Sequence, residues 1–518
     1  MSWSEHLPIV PVVLPLAAGA LMLVLDERRS TLKAAISIAT LLLLLVAALA
    51  LLRLADNPVA PVYALGDWPA PFGIVLVADR LAAAMVLLAA VLGLAAMVFS
   101  LARWHRAGPR FHSLLQFLLM GLNGAFLTGD LFNLFVFFEL LLAASYGLAL
   151  HGSGTGRVRS SLHYIVINLG ASLLFLIGVS LIYGVAGTLN LAHLAQRIPQ
   201  IAAADRALVE AGAAVLFIAF LVKAGMWPLG FWLPSTYAAA SAPAGALFAI
   251  LSKVGFYAVL RIWLLLFGGG VGSELLFYGG MATLAFGMIG MLASQELGRL
   301  AGYSLLVSSG TLLAAISRSD GAVTAAALFY LVASTLGIAA LFLLIELVQR
   351  SREPGADVLA VTAEAFGLAD AEEEQPEEQS GTEIPAVMAL LGLSFVCCAL
   401  LVAGLPPLPG FLAKFGLLAA VLAPEPIPAR AWALLALLTL AGLAAVIAMG
   451  RAGVRIFWAA EERSVPRVRL IEITPIAGLL ALCFALAVAP GPAMRYLHDA
   501  ALALHAPHGY IESVLGRP

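Results

Sequence analysis

The sequence predicts an all-α polytopic membrane protein with about fourteen transmembrane helices, two of them broken, built around two inverted five-helix repeats. Three observations predict it. Of the 518 residues, 62% are hydrophobic and only 11% are charged, whereas soluble domains have roughly 25% charged residues. Many apolar runs reach the roughly 20 residues that a membrane-spanning helix needs. Two of these runs are interrupted by proline and glycine at matching places in the order of spans.

The spans follow one another with short polar connections. In chain order they are predicted at residues 5–25, 32–54, 79–102, 111–129, 130–151, 160–186, 206–227, 241–268, 274–294, 299–317, 321–348, 384–423, 430–458 and 470–490. The expected organisation is spans 1–3 in residues 1–110, a first repeat of spans 4–8 in 111–268, a second repeat of spans 9–13 in 269–458, and span 14 with a tail in 459–518.

The distribution of charge predicts how the chain is oriented. The first apolar run lacks a basic region before it, so it is expected to be a span and not a cleaved signal. Loops that are cytoplasmic when both termini lie outside carry more arginine and lysine than the outer loops, which favours that orientation. An acidic loop at about 350–383 is predicted to be a solvated cytoplasmic connection; attraction of cations is the alternative.

No metal or cofactor is expected. The three cysteines, Cys397, Cys398 and Cys483, all lie in apolar runs and form no Cys-x-x-Cys motif. No nucleic-acid partner and no enzyme active site are expected either. His163, at one end of a span, is interpreted as structural.

The chain has only four lysines, and three of them lie inside apolar segments. Lys33 is assigned to a short polar loop, whereas Lys223, Lys253 and Lys414 are the three inside apolar segments. A charge at the bilayer centre costs roughly 3 kcal/mol or more. Lysine readily exchanges its proton when buried, whereas arginine stays charged. The buried lysines therefore indicate a chain that handles protons, although Lys253 could instead extend toward the outer surface near Arg261.

The two interrupted segments are predicted to be broken helices that flank a transport site. The residues expected at the breaks are Pro228 and Gly230 in the first, and Pro406, Pro407, Pro409 and Gly410 in the second. The segments are five spans apart, so the second half enters the membrane in the opposite sense, as in inverted-repeat transporters. The alternative is that proline and glycine only kink packed helices.

Glu139 is the expected partner of a buried lysine. It lies nine residues after Asp130, about 14 Å along a helix, and an unpaired buried carboxylate would be costly. Lys223, in the same repeat, is the candidate partner. Separating such a pair would favour release of the lysine proton. A static structural ion pair is the alternative.

Three segments carry a resemblance to a known family. KAGMWPLGFWLPSTYAAASAPAGALFAILSKVGFYAVLR (223–261), FFELLLAASYGL (137–148) and GLPPLPGFLAKF (404–415) closely resemble the D-type membrane component of Mrp-type multisubunit monovalent cation/proton antiporters. The same superfamily includes the antiporter-like subunits of respiratory complex I and of membrane-bound hydrogenases. The resemblance implies that Glu139 and Lys223 form the family's glutamate–lysine pair, that Lys253 connects the halves, and that Lys414 is the terminal charged residue.

The sequence departs from the family in the second half. Relatives often have histidine on span ten and histidine and lysine on span eleven, where this chain has Ser308, Ala333 and Ile338. The polar line is therefore expected to be thinnest there. Hydroxyls are the candidates for holding water in its place: Ser304, Ser308, Ser309, Ser334 and Thr335.

The resemblance implies a transporter subunit in a bacterial inner membrane and not an enzyme. The expected function is exchange of sodium, or another monovalent cation, for protons, with other antiporter subunits as partners in the lipid bilayer. The alternative is a proton-pumping subunit of an NADH-quinone oxidoreductase or a membrane-bound hydrogenase.

Overall fold

The structure, a computed structural model, describes residues 5–57, 59–152, 154–350, 386–457 and 468–516. Helices dominate these residues. They are α1 Val10–Val24, α2 Ser30–Leu54, α3 Arg80–Ser100, α4 Phe111–Leu127, α5 Leu131–Ala149, α6 Thr155–Ala186, α7 Leu191–Arg197, α8 Ala203–Ala224, α9 Trp232–Ala239, α10 Ala242–Phe267, α11 Ser273–Ala293, α12 Leu297–Ile316, α13 Gly321–Arg350, α14 Ala386–Ala403, α15 Pro409–Leu422, α16 Ala429–Phe457, α17 Leu470–Val488, α18 Pro490–His505 and α19 His508–Leu515. The all-helical membrane fold is confirmed.

Thirteen helices of the described residues are long and apolar enough to cross a membrane. Helices α4 and α15 are apolar but shorter. The predicted span 384–423 is two helices, α14 and α15, and the predicted span 206–227 ends early, at Ala224. The inverted repeats and their boundaries stay predictions, and the acidic segment at about 350–383 lies outside the described residues apart from Arg350.

Aspartates begin two of the spans. Asp79 precedes α3 and accepts a hydrogen bond of 2.9 Å from the backbone N–H of Ala82. Asp130 precedes α5 in the same way, with the N–H of Asn133 at 2.9 Å. Each carboxylate satisfies a free donor of the first turn. The N-cap at Asp130 fixes the start of the helix that carries Glu139.

Several small elements are not predicted by the apolar pattern. Strands β1 Val62–Ala64 and β2 Val75–Val77 form an antiparallel hairpin between α2 and α3. Helices α18 and α19 follow the last span and pack against the bundle. These elements are short or amphipathic, so they leave little hydrophobic signal in the sequence.

The centre of the bundle is formed by α10, α12 and α13, which are buried along nearly their whole length. Helices α1, α2, α6 and α17 lie outside and expose many apolar side chains, as expected of helices that face lipid. Lys253 lies on α10, so it occupies the middle of the molecule.

The bundle has two distinct ends. The Trp104 end holds residues 25–29 and 101–110, and there Trp104 Nε1 donates a hydrogen bond of 2.6 Å to Glu346 at the end of α13. The hairpin end lies opposite and holds β1 and β2. Lys33, which was assigned to a polar loop, is instead buried within α2 at the Trp104 end. The prediction was wrong because α2 begins at Ser30 and is packed by its neighbouring helices, while Glu27 pairs with the ammonium group of Lys33.

Candidate functional site

Both broken segments have the same backbone conformation at the end of their first helix. Helix α8 ends at Gly225 and α14 ends at Gly404, and both glycines have φ of +76°. After each glycine, the next backbone N–H turns back to the helix, from Met226 to Leu221 O and from Leu405 to Leu400 O, both at 3.0 Å. This left-handed glycine cap ends a helix abruptly. Each segment therefore stops inside an apolar stretch.

The predicted break residues lie in or beside these gaps. Pro228 and Gly230 lie between α8 and α9, and Pro406 and Pro407 lie between α14 and α15. Pro409 and Gly410 do not lie in the gap: they begin α15, because proline without an N–H suits the first turn.

One glycine after each break packs against the helix that precedes the break. A Cβ on Gly230 would lie 2.0 Å from Gly225 O, and one on Gly410 would lie 2.5 Å from Leu401 O. Only glycine permits these approaches. The two chain reversals are therefore built alike.

Lys414 binds the carbonyl groups that the second break leaves free. Its Nζ donates hydrogen bonds of 2.7 Å to Ala403 O and 3.2 Å to Val402 O. These are the last carbonyls of α14, the negative end of that helix dipole. The ammonium group, which is almost entirely buried, is thus held at a helix C-terminus without a carboxylate among the described residues.

Lys223 lies one residue before the end of α8 and has a different environment. Its Nζ is 5.2 Å from the ring centroid of Phe138 and has no hydrogen-bond partner in the described part of the chain. It lines a cavity of about 20 Å³. Trp232 Nε1 and Tyr237 Oη, from α9, line the same cavity and are likewise without a partner there.

This cavity is the feature of the site that the sequence did not reveal. About 15 Å³ is enough for one water molecule, although the wall of this cavity is mostly apolar. Tyr164 and Asn168 from α6 complete the polar lining. The sequence gives little indication of this cavity, because aromatic residues in apolar helices usually serve only to pack the helices together.

Glu139 is near Lys223 but is not paired with it in this conformation. Its carboxylate accepts a hydrogen bond from the hydroxyl of Ser172 on α6. No ion pair within 4.0 Å joins it to a basic group among the described residues, although it is close enough to Lys223 for a Coulombic interaction. The pair stays a prediction, and Ser172 is an additional partner.

Lys253 turns toward the second half of the chain. Its side chain is fully buried, and Nζ donates a hydrogen bond of 2.8 Å to Ser308 Oγ on α12. Ser308 Oγ is in turn 3.0 Å from Ser334 Oγ on α13. The alternative in which Lys253 extends toward Arg261 is wrong, because Ser308 supplies an acceptor where Lys253 lies.

The hydroxyl pair leads to the second break. A cavity of about 10 Å³ is lined by Tyr330, Ser334, Ile338 and Val402. Val402 O is one of the two carbonyls bound by Lys414. Two serine hydroxyls and a small cavity therefore lie near Ala333 and Ile338, where the polar line was expected to be thinnest, and a continuous path there stays a prediction.

The other candidate hydroxyls, those of Ser304, Ser309 and Thr335, do not form hydrogen bonds among the described residues that link Lys253 to the second break. Ser304 borders the cavity but donates to Leu300 O at 2.9 Å. Thr335 donates to Leu331 O of its own helix at 2.6 Å. Ser309 Oγ is buried and has no partner within the described ranges.

Nothing in the described residues gathers three or more histidine, cysteine, aspartate or glutamate side chains into a metal site. The three cysteines are unpaired thiols. The polar groups of the site are ammonium groups, hydroxyls and one carboxylate, and such groups can exchange protons through water.

Known proteins share this arrangement of helices. Residues 128–443 match the family model described as NADH:quinone oxidoreductase/Mrp antiporter, TM. The chain is 57% identical over 534 residues to a probable K(+)/H(+) antiporter subunit, of the D type, from Rhizobium meliloti (strain 1021), covering 100% of this chain and 98% of that protein. It is 33% identical over 520 residues to the Na(+)/H(+) antiporter subunit of the same type from Alkalihalophilus pseudofirmus, covering 99% of both.

A solved structure agrees over the full length. One chain of the Mrp complex from Dietzia sp. DQ12-45-1b superposes with a TM-score of 0.84 at 26% identity, covering 100% of both chains. Both the family model and the full-length relatives cover the two breaks and Lys223, Lys253 and Lys414. The chain therefore belongs to the NADH:quinone oxidoreductase/Mrp antiporter transmembrane family.

Proposed function

We propose that this chain is the proton-conducting membrane subunit of a multisubunit monovalent cation/proton antiporter, and not an enzyme. Relatives that match it from end to end are named as antiporter subunits of the D type. The observation that carries the proposal is the set of three buried lysines, Lys223, Lys253 and Lys414, each beside a helix break or a hydroxyl chain. Buried ionisable groups of this kind mark ion and proton pathways.

The proton route follows the contacts in order. Lys223 exchanges its proton with water in the cavity that it shares with Trp232 and Tyr237. Glu139 sets the proton affinity of Lys223 by approaching it or turning away to Ser172. This alternation is the switch of the transport cycle.

The second half of the route begins at Lys253. This lysine relays the proton through Ser308 and Ser334, since hydroxyls both donate and accept hydrogen bonds. The cavity beyond Ser334 connects to Lys414, which exchanges with one side of the membrane at the second break.

The cation partner of the exchange is a monovalent ion. The more similar relative is named for potassium and the other for sodium, so the complex is expected to exchange potassium, sodium or both. Other antiporter subunits complete the complex in the bacterial cell membrane, and both termini lie outside. The redox-driven pump stays the alternative, because the family also includes NADH:quinone oxidoreductases; cation-driven proton exchange without any electron donor distinguishes the two.

The test is the Lys223→Ala variant in the complete complex. Cation-dependent collapse of a pH gradient is measured in everted membrane vesicles of a host without other antiporters. We expect exchange to be abolished while the amount of assembled complex is unchanged, because the switch loses its proton carrier. Arg206→Ala is the matched control, since Arg206 is exposed near the start of the same helix. Exchange at the wild-type rate in Lys223→Ala would refute the proposal.

A further inference from the structure

A group of aromatic and charged side chains at the Trp104 end lies outside the proposed proton route. Trp104 is buried, and its Nε1 donates a hydrogen bond of 2.6 Å to Glu346 Oε2 on α13. The guanidinium carbons of Arg103 and Arg157 lie over its ring, 4.9 and 5.0 Å from the centroid. Such cation–π contacts are attractive, most of all over tryptophan. We call Trp104, Arg157 and Glu346 the tryptophan cluster.

Glu346 fixes the tryptophan cluster to α13. Besides Trp104, its carboxylate binds Arg103 Nη2 at 2.9 Å and the guanidinium group of Arg350. Arg350 also binds Glu472, near the start of α17. A carboxylate with several charge-assisted hydrogen bonds is held firmly in one orientation. Glu346 is therefore a fixed anchor for the indole of Trp104.

The connection between α5 and α6 holds Arg157 against Trp104. Arg157 Nη1 donates a hydrogen bond of 3.0 Å to His151 O, and His151 Nε2 is 2.8 Å from Trp104 O. The packing is close, because a Cβ on Gly152 would lie 2.6 Å from Arg157 Nη1 and 2.8 Å from Trp104 Cζ3. The guanidinium group of Arg157 therefore has a defined position at the ring.

The same guanidinium group binds the end of α9. Arg157 Nε donates a hydrogen bond of 2.8 Å to Ala239 O, and Ala239 is the last residue of α9. The last carbonyls of a helix have no partner within it, and a positive charge is favourable at this end. Arg157 therefore binds the C-terminus of α9 as Lys414 binds that of α14.

Contacts with other elements decide where α9 lies. It has only eight residues, follows the first break and is followed by extended backbone at Ala240. It packs on α6 and α12, and Thr236 donates to Ser160 O at 3.3 Å. Tyr237, which lines the cavity of Lys223, lies two residues before the carbonyl that Arg157 binds. A displacement of this end of α9 therefore changes the place of Tyr237 in the cavity.

We propose that Arg157 is a positioning residue for proton exchange at Lys223. It joins the end of α9 to Trp104 and, through Glu346, to α13, and it thereby holds Tyr237 in place beside Lys223. The inference rests on the proposed function, since it concerns the rate of exchange at that lysine.

The inference is tested by combining Arg157→Ala with Tyr237→Phe in the complete complex. Cation/proton exchange is measured in everted vesicles at equal amounts of assembled complex. We expect Arg157→Ala to lose about tenfold of the rate, because a small misplacement of a group at the reacting centre is costly. The double variant is expected to lose no more than Tyr237→Phe alone, because residues that act through one another are not additive. Single losses that multiply in the double variant, or a wild-type rate for Arg157→Ala, would overturn the inference.

Arg159→Ala is the matched control. Arg159 is an exposed arginine two residues further along α6, so its removal changes the surface charge by the same amount and should keep the wild-type rate. An equal loss of rate in Arg159→Ala would assign the effect to surface charge and would overturn the role of Arg157.

The position of α9 is measured separately, in a high-resolution structure of the Arg157→Ala complex. We expect Tyr237 Oη to move relative to Lys223 by about 1 Å or more. This result is independent of transport. A wild-type complex without exchange would refute the proposed function alone, whereas an unmoved Tyr237 would overturn the inference alone.

If Arg157→Ala does not assemble, Arg157→Gln replaces it in both measurements. Glutamine keeps one amide donor but cannot bind both carbonyls while it covers the ring of Trp104, because it lacks the guanidinium fork. Multiplied losses of rate, a wild-type rate or an unmoved Tyr237 would overturn the inference in that variant too.

Discussion

Lys223, Lys253 and Lys414, which we call the lysine row, differ in the surroundings of their ammonium groups. Lys253 donates to a serine hydroxyl and Lys414 donates to two backbone carbonyls. Lys223 has no protein acceptor within the described ranges and faces the ring of Phe138. Because its ammonium group is the least constrained, Lys223 is the one whose protonation responds most to a movement of Glu139. This difference supports the proposed roles of Lys223 as the switch and of Lys253 as the relay.

Tyr237→Phe tests the cavity beside Lys223. The change removes only the hydroxyl, which lines the cavity and has no protein partner among the described residues. We expect the rate of exchange to fall by about tenfold, because the water that connects with Lys223 loses one of its ligands. The rate is measured in everted vesicles at equal amounts of complex. Tyr183→Phe, at an exposed tyrosine of α6, should keep the wild-type rate; the same result for Tyr237→Phe would contradict a role for this cavity.

At the scale of elements, the two breaks place their lysines on opposite sides of the gap. Lys223 lies on the half-helix before the first break, whereas Lys414 lies on the half-helix after the second. Only Lys414 can therefore turn back and bind the C-terminal carbonyls of the preceding half-helix. Both broken helices end in a glycine cap, but only the ammonium group of Lys414 binds the carbonyls that a break leaves free.

The contact between α8 and α10 depends on Gly255. A Cβ at this position would lie 2.4 Å from the backbone N of Ala224 and 2.8 Å from Lys223 C. We expect Gly255→Ala to destabilise the complex by roughly 2 kcal/mol, because the helices must separate. The melting temperature and the yield of complex are the readouts.

Gly184→Ala is the control for Gly255→Ala. It adds the same methyl group to a helix, on α6, where no atom lies within 4 Å of it, so it should be neutral or slightly stabilising. Equal stability of the two variants would show that the close contact at Gly255 is not needed.

At the scale of the whole molecule, Glu139, Lys223, Lys253 and Lys414 form a row that includes the most buried span, α10. Glu139 and Lys223 belong to α5 and α8, Lys253 to the central α10, and Lys414 to α15. The arginine-rich loops lie at the Trp104 end, which the positive-inside rule assigns to the cytoplasm. The hairpin and both termini are therefore predicted to face outside.

A cysteine added after Pro518 tests this orientation. We expect a membrane-impermeant maleimide to label it in intact spheroplasts, and to label Ala107→Cys, in an exposed loop at the Trp104 end, only in everted vesicles. The native cysteines lie in apolar helices and serve as the background. The reverse pattern of labelling would contradict the orientation.

Local sequence could reveal the breaks and the three lysines, because proline, glycine and charge are conspicuous in apolar runs. It could not show that Lys33 is buried, since that depends on how neighbouring helices pack against α2. The partners of Lys253 were also hidden, because Ser308 and Ser334 are far away in the sequence. The cavity at Tyr237 likewise arises from contacts between helices. The sequence shows which residues are present, but it does not show which residues distant in the chain come into contact.

The most direct measurement compares Ser334→Val with Ser334→Thr. Both variants add a branched side chain of nearly the same shape, but only threonine keeps the hydroxyl that Ser308 contacts at 3.0 Å in the wild type. Cation/proton exchange is measured with equal amounts of assembled complex in everted vesicles. If the hydroxyl pair joins Lys253 to Lys414, Ser334→Val loses about tenfold or more of the rate, while Ser334→Thr stays close to wild type. Equal rates for the two variants would contradict a proton route through this pair.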